Sequence, residues 1–392
     1  MTNQKTFAAI TLGGHVALAM ICIPGYCQDI ANAETDIHAN VLESIRLLDS
    51  DSYLTRQRAA DNILRCGEPA INALESERDN PDAEVRMQCR RLIKRINDET
   101  IRRELNHLLT HFDPLRSYRL PGWQPFRAAC GDDASGRGLY RRLLDHDIAF
   151  MKWLQRVEDD PSYDIENQLV DQQRYLSPSS QRLHSGDPLI WSMMLLAATN
   201  EKICQVPVLG SHIRCGLQCG PTIESLTQGS NREATLRLVR SWVSRQSSAY
   251  ASRSTLRIAM LYGCNELAHQ MSVETLRQSH APPAAVQMAL LFLAQHQPQE
   301  SEKHLTTFLA DERVCQIWQV ASIRRRAIQT QVRDTAMALL LHLQGIDPRG
   351  VGYQDIEADP LTIFAEQTLG FETEAQRLAT HQQGRTLLGL TP

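Results

Sequence analysis

Four soft or borderline metal donors fall close together in the chain: Cys204, His212, Cys215 and Cys219. The last three lie in the turn-rich segment Pro207-Val208-Leu209-Gly210-Ser211-His212-Ile213-Arg214-Cys215-Gly216-Leu217-Gln218-Cys219-Gly220-Pro221, and Cys204 just before it. Three thiolates and an imidazole on one short loop could enclose a zinc ion tetrahedrally. The spacing departs from the usual zinc pattern, because three residues separate Cys215 from Cys219 and no second cysteine pair follows. A disulfide joining Cys204 or Cys264 to one of the loop pair is the first competing chemistry. Thiols that merely fill space are the second.

Other constellations are weaker. His107 and His111 stand one helical turn apart with Asp113 behind them, a spacing at which two imidazoles can share a metal, but the glutamate of a zincin is absent. A solvated pair is the plainer reading. In Asp145-His146-Asp147 adjacent residues on a helix point in different directions, so a base with its orienting carboxylate gives way to a charged face. Arg324-Arg325-Arg326 reads as a solvated turn or helix end rather than an anion site. Ser179, Ser180 and Ser185 near His184 read as a polar linker. There is no G-x-S-x-G elbow, no phosphate-binding Gly-rich loop with Lys, no H-E-x-x-H and no C-x-x-C-H in the sequence. No catalytic residue is assigned.

The elements that must position these residues are helices. Apolar residues recur at steps of three and four through Val85, Cys89, Leu92, Ile93, Ile96, Ile101, Leu105, Leu108 and Leu109. Asn80-Pro81-Asp82 supplies the cap and the proline that open such a helix. Leu139, Tyr140, Leu143, Leu144, Ile148, Met151 and Leu154 predict one amphipathic helix over 135–157. Leu189 to Ala198, Ala284 to Ala294 and Ala336 to Leu343 are apolar nearly all round, which predicts helices covered on several sides. Sustained period-2 alternation is not found, so strands are not expected. The stretches 112–124, 202–222 and 344–360 read as irregular.

The chain also echoes itself. Arg56-Gln57-Arg58-Ala59-Ala60-Asp61-Asn62-Ile63 and Arg86-Met87-Gln88-Cys89-Arg90-Arg91-Leu92-Ile93 lie thirty residues apart, each with a small residue three after the arginine and Ile seven after it. The frame returns at Val332-Arg333-Asp334-Thr335-Ala336. Between the first two copies, Gly67-Glu68-Pro69 stops one helix and opens another. Asp82-Ala83-Glu84-Val85-Arg86-Met87-Gln88-Cys89 resembles the second-helix signature of HEAT-like repeats. On this sequence the match falls on Asp82, Val85 and Arg86, less completely on Arg56 with Ala59, and on Val332, Arg333 and Ala336, where no acidic residue precedes the valine. The resemblance covers 39–110 and a patch at 330–345. It implies an all-α solenoid of stacked antiparallel helix pairs, irregular in the middle, in which Arg56, Arg86 and Arg333 tie or cap repeats rather than react. It supplies no activity. Enzymes that attach chromophores on HEAT-like scaffolds make an enzyme or cofactor-handling protein, working through 202–222, the alternative.

Of 392 residues, 42% are hydrophobic and 22% charged, the balance of a folded protein. Forty-one Lys+Arg against 45 Asp+Glu leave a net charge of -4, which argues against a nucleic-acid binder. Lys5, the apolar run Phe7 to Ile23 and the breakers Pro24-Gly25 have the layout of a secretory signal peptide, with Ala31-Asn32-Ala33 as a cleavage site. An uncleaved anchor is the competing reading and the only membrane contact expected. Outside the leader, eight cysteines are too few for a disulfide-built scaffold, and Cys66 and Cys89 fall at core positions. The organisation expected is a leader at 1–33, a HEAT-like section at 34–111, a helical section at 123–201 and a repeat-like section at 223–392. The expected role is a non-enzymatic exported scaffold, periplasmic, envelope-bound or secreted, that binds a protein or peptide, with no cofactor beyond the zinc considered above.

Overall fold

The computed structural model describes residues 38–160, 189–199, 201–204, 206–219, 229–246, 252–320 and 326–390. The chain is mostly helical with little strand. The leader at 1–33 and the serine cluster near His184 lie outside the described residues, as do Arg324 and Arg325. Among the described residues no helix is long and apolar enough to cross a membrane. The chain divides into two compact units, Met1–Asn106 and His107–Pro392.

In the first unit, helix α1 covers 38–46 and runs into a 3-10 turn, Leu47–Asp49. Helix α2 is Tyr53–Cys66, α3 is Ile71–Ser76 and α4 is Ala83–Thr110. The starts of α2 and α4 are capped alike, thirty residues apart. Ser52 Oγ accepts from the Thr55 N–H, and Asp82 Oδ1 accepts from the N–H groups of Glu84 and Val85. Gly67, at φ +66°, ends α2 in a conformation that side chains disfavour. Val41, Ile45, Ala59, Ile63, Leu74, Val85, Cys89 and Ile96 share one core. Cys66 is only half-buried.

In the second unit, α5 is Trp123–Cys130, α6 Ala134–His146 and α7 Ile148–Asp159. The single helix expected over 135–157 is therefore broken. Asp147 leaves helical geometry (φ −151°, ψ 79°), and its carboxylate accepts from the Phe150 N–H, starting α7. Both halves keep the apolar period, so the break left no mark on the pattern. Gly122, at φ +65°, turns the chain into α5; a Cβ there would stand 2.9 Å from the Met151 carbonyl oxygen.

Helix α8 is Leu189–Thr199, α9 Glu201–Cys204, α10 Pro207–Leu217 and α11 Arg232–Arg245. The stretch 202–222, expected to be irregular, is thus largely helical. Pro207 occupies the first turn of α10, where its missing N–H costs nothing. Helix α12 is Arg253–Leu261, α13 Asn265–Arg277, α14 Pro283–His296 and α15 Pro298–Thr307. Leu189 to Ala198 and Ala285 to Ala294 are buried at every position. The reason for α14 is its place: α12, α13, α15 and the later helix Val332–Leu343 all pack against it. Each large aliphatic side chain it buries contributes roughly 1.5–3 kcal/mol.

Strands β1, Val314–Val320, and β2, Arg326–Gln331, form an antiparallel hairpin. It corrects the expectation of no strands. Helix α16 is Val332–Leu343, and a second short pair joins β3, Ala358–Asp359, to β4, Ile363–Phe364. Helix α17, Glu374–Leu387, closes the chain with a capping box between Thr373 and Gln376. Gln329 and Phe371 exchange both backbone hydrogen bonds. Gly370 allows that approach, since a Cβ there would meet the Gln329 oxygen at 2.4 Å.

Candidate functional site

The Cys/His set is split by its helices. Cys204, at the end of α9, is buried, and its sulfur accepts from Gln246 Nε2 at 2.9 Å. His212 and Cys215 ride on α10. Cys219 lies just beyond the helix end, and its thiol donates to the Cys215 carbonyl at 3.3 Å. Cys215 is exposed and Cys219 half-buried. Burial and the neighbouring Cys215 thiol push Cys219 above the ordinary thiol value of 9.0. Among the described residues no three His, Cys, Asp or Glu side chains gather closely enough to hold a metal ion. What the fold brings together is the pair Cys215 and Cys219. Cys264 is buried, its thiol facing the Tyr262 carbonyl at 3.9 Å.

His107 and His111 have ring centroids 5.8 Å apart. His107 Nδ1 lies 3.3 Å from the Tyr118 hydroxyl, which also accepts from the Asp113 N–H. His107 is thus engaged by a tyrosine that sequence spacing did not reveal. Arg326, of the arginine triplet, pairs with Asp355 at 3.1 Å and Glu372 at 2.7 Å.

The proposed repeat arginines have distinct surroundings. Arg56 Nη1 donates to the carbonyls of Ser50 (2.6 Å) and Asp51 (3.2 Å). Arg86 Nη1 donates to the carbonyls of Asn80 and Pro81, the latter at 2.9 Å. Both reach back six and five residues to hold the turn before their own helix. Arg333 does not. It pairs with Glu312 at 2.6 Å and Glu374 at 2.7 Å, and its Nε donates to Gln331 Oε1. The residues preceding it form β2 rather than a turn, so its guanidinium meets side chains instead of the carbonyls of a turn.

Beneath β2 lies a buried polar centre that no motif announced. Asp334, fully buried at the start of α16, accepts from Arg377 Nε at 3.0 Å and from the Gln331 N–H at 2.8 Å, and His381 Nε2 lies 3.0 Å from its Oδ1. The Tyr353 hydroxyl donates to the Asp334 carbonyl at 2.8 Å, and Arg377 Nη2 to the Gln329 carbonyl at 2.7 Å. A second buried carboxylate, Glu366, is held by Arg253. Gln287 joins the two regions, donating to Thr335 Oγ1 and to the Glu366 carbonyl. Both Asp334 oxygens are engaged by protein groups, so this centre fastens α16, α17 and the hairpin together and offers no open lone pair to a reacting atom. Its sequence signal is a carboxylate at the third position of a helix whose following residues, Ala336 to Leu341, are all apolar.

Two further surfaces carry polar groups. A cleft of about 340 Å³ is lined by Arg232, Met260, Asn265, His296 and Leu361, and burial lowers the His296 pKa below its ordinary 6.5. On α4, Arg90, Arg91, Lys94 and Arg95 are exposed, and none makes an ion pair among the described residues. The nearest acidic neighbour that does pair, Glu99, is taken by Arg102 at 2.9 Å.

No family model, no curated protein and no solved structure matches the chain.

Proposed function

We propose that the chain is an exported, non-enzymatic helical-repeat protein that binds a protein or peptide partner, and that the exposed face of α4 receives acidic side chains of that partner. The repeat reading is supported by the equivalent clamps of Arg56 and Arg86 and by the matching caps Ser52 and Asp82. On this reading α2 and α4 are the second helices of two stacked pairs, which in such repeats present an extended surface.

The observation that carries the binding reading is the row Arg90, Arg91, Lys94 and Arg95. Like charges four positions apart, Arg90 with Lys94 and Arg91 with Arg95, each weaken a helix by about 0.2–0.5 kcal/mol. An acidic partner turns that repulsion into attraction and steers its own approach. Export rests on the leader, and mass spectrometry of the N-terminus from envelope fractions tests it.

The binding test is a titration of the full chain with a fluorescent Glu-rich peptide at low and high salt. Saturable binding that weakens with salt is expected. Equal or tighter binding of a single-stranded DNA of the same length would overturn the assignment to a protein partner.

A further inference from the structure

We propose that the cavity framed by α5, α7, α8 and α11 binds a small zwitterion, a molecule that carries one ammonium group and one carboxylate on a short apolar body, as an amino acid does. Helix α5 packs against the other three, and α8 packs against α11. Between them lies a cavity of about 260 Å³, near the lower limit of small-molecule sites. Its apolar wall comes from Pro125, Ala129, Leu154 and Val157, and its two charges from Glu158 and Arg245. All of these residues belong to the second unit.

The two charges are opposite and line one space, yet they do not neutralise each other. Among the described residues neither Glu158 nor Arg245 forms an ion pair or a side-chain hydrogen bond. A carboxylate and a guanidinium that share a cavity without pairing leave room for a ligand between them. Its ammonium donates to Glu158, and its carboxylate accepts from the fork of Arg245. Ser241, four residues before Arg245 on the same face of α11, adds a hydroxyl at that end.

The placing of Glu158 points the same way. The final turns of all four helices line the cavity, through Ala129 of α5, Val157 and Glu158 of α7, Thr199 of α8 and Arg245 of α11. Helix C-termini gather partial negative charge, which favours a cation and disfavours a carboxylate. Glu158 therefore stands where it weakens its own helix, with Asp159 beside it. Partial burial, and after it the Asp159 charge, raise its pKa above the ordinary 4.5. Among the described residues no cation relieves that carboxylate, whereas a bound ammonium does. Arg245, the one cation of the lining, repels a simple amine, so the cavity selects an amine that brings its own carboxylate.

Isothermal titration of the full chain tests this with L-leucine, 6-aminohexanoate, 4-methylpentanoate, which is leucine without its amine, and 3-methylbutylamine, which is leucine without its carboxylate. At least one of the two zwitterions is expected to bind with a Kd of about 1 mM or tighter, and about tenfold tighter than either singly charged analogue. The better of the two fixes the spacing of ammonium and carboxylate. Glu158→Gln and Arg245→Gln are each expected to weaken that binding about tenfold. The first change removes the preference over 4-methylpentanoate, and the second the preference over 3-methylbutylamine. Ala129→Leu fills the cavity and abolishes binding. Because Glu158 and Arg245 are exposed, the helical circular dichroism of their variants is expected to match the parent. The inference would be overturned by a parent that binds neither zwitterion, by a singly charged analogue that binds as tightly, or by binding that any of the three variants leaves undiminished.

Discussion

Arg56 and Arg86 make the same two bonds. Each guanidinium turns back onto the carbonyls six and five residues before it, Ser50 and Asp51 in one case, Asn80 and Pro81 in the other. Each also precedes by three a residue that is 1% exposed, Ala59 and Cys89. The thirty-residue echo is therefore repeated in bonding and burial as well as in residue type.

If the clamp is the shared device, Arg56→Ala and Arg86→Ala should cost similar amounts. Hydrogen bonds from charged donors contribute about 1.5–3 kcal/mol. These arginines are half-exposed, so about 1 kcal/mol each is expected after solvent screening. Urea unfolding of the two variants provides the comparison, and a loss confined to one of them would show that the equivalence is only formal.

Asp334 ties α16 to Arg377 and His381 of α17. Asp334→Ala leaves the guanidinium of Arg377, 2% exposed, without its buried partner. A loss of about 3–5 kcal/mol follows. Pairing Asp334→Ala with Arg377→Met should cost less than the sum of the two single changes, because the double variant leaves no uncompensated charge. Additive losses would contradict the coupling.

Gly370→Ala tests how the hairpin is held. The added methyl would meet the Gln329 oxygen, so the exchange of bonds between Gln329 and Phe371 should open. A loss of about 1–3 kcal/mol is expected, together with faster hydrogen exchange at both amides. Unchanged exchange would mean that the bridge tolerates a side chain there.

Asp133 predicts an acid response. Partial burial raises its pKa, but hydrogen bonds from Arg237 and the Gly136 N–H, with the charges of Arg237 and Arg137, more than offset this and hold it below the ordinary 3.8. The folded value lies below the unfolded one, so the stabilisation is complete above 3.8 and is lost as pH falls through the folded value. Asp133→Asn should lower the melting midpoint near neutrality, and the difference from the parent should close on acidification. A difference that ignores pH would contradict the ion pair with Arg237.

Much of the helical content was legible because it is local. The period through Val85 to Leu109 and the cap at Asp82 predict α4 within a residue or two of its observed ends. What was not legible depends on distant partners. Asp147 breaks a helix whose apolar stripe continues past it. Strand β1 lacks the flanking Gly or Pro that would mark it, and its partner β2 is held by Phe371, forty-two residues beyond Gln329. Asp334 finds its cation and its histidine 43 and 47 positions away. The cysteines mislead for the opposite reason, since nearness in sequence suggested a common centre, whereas α9 places the Cys204 sulfur against Gln246 and the end of α10 places the Cys219 thiol against the Cys215 carbonyl.

The central claim, that the cation row of α4 receives an acidic partner, is tested most directly by reversing its charge. Arg91→Glu with Lys94→Glu and Arg95→Glu alters only exposed side chains, so the fold is expected to survive. The parent should bind a Glu-rich peptide and ignore a Lys-rich one, and the triple variant should do the reverse. Undiminished binding of the Glu-rich peptide by the triple variant would place the binding surface elsewhere and contradict the account.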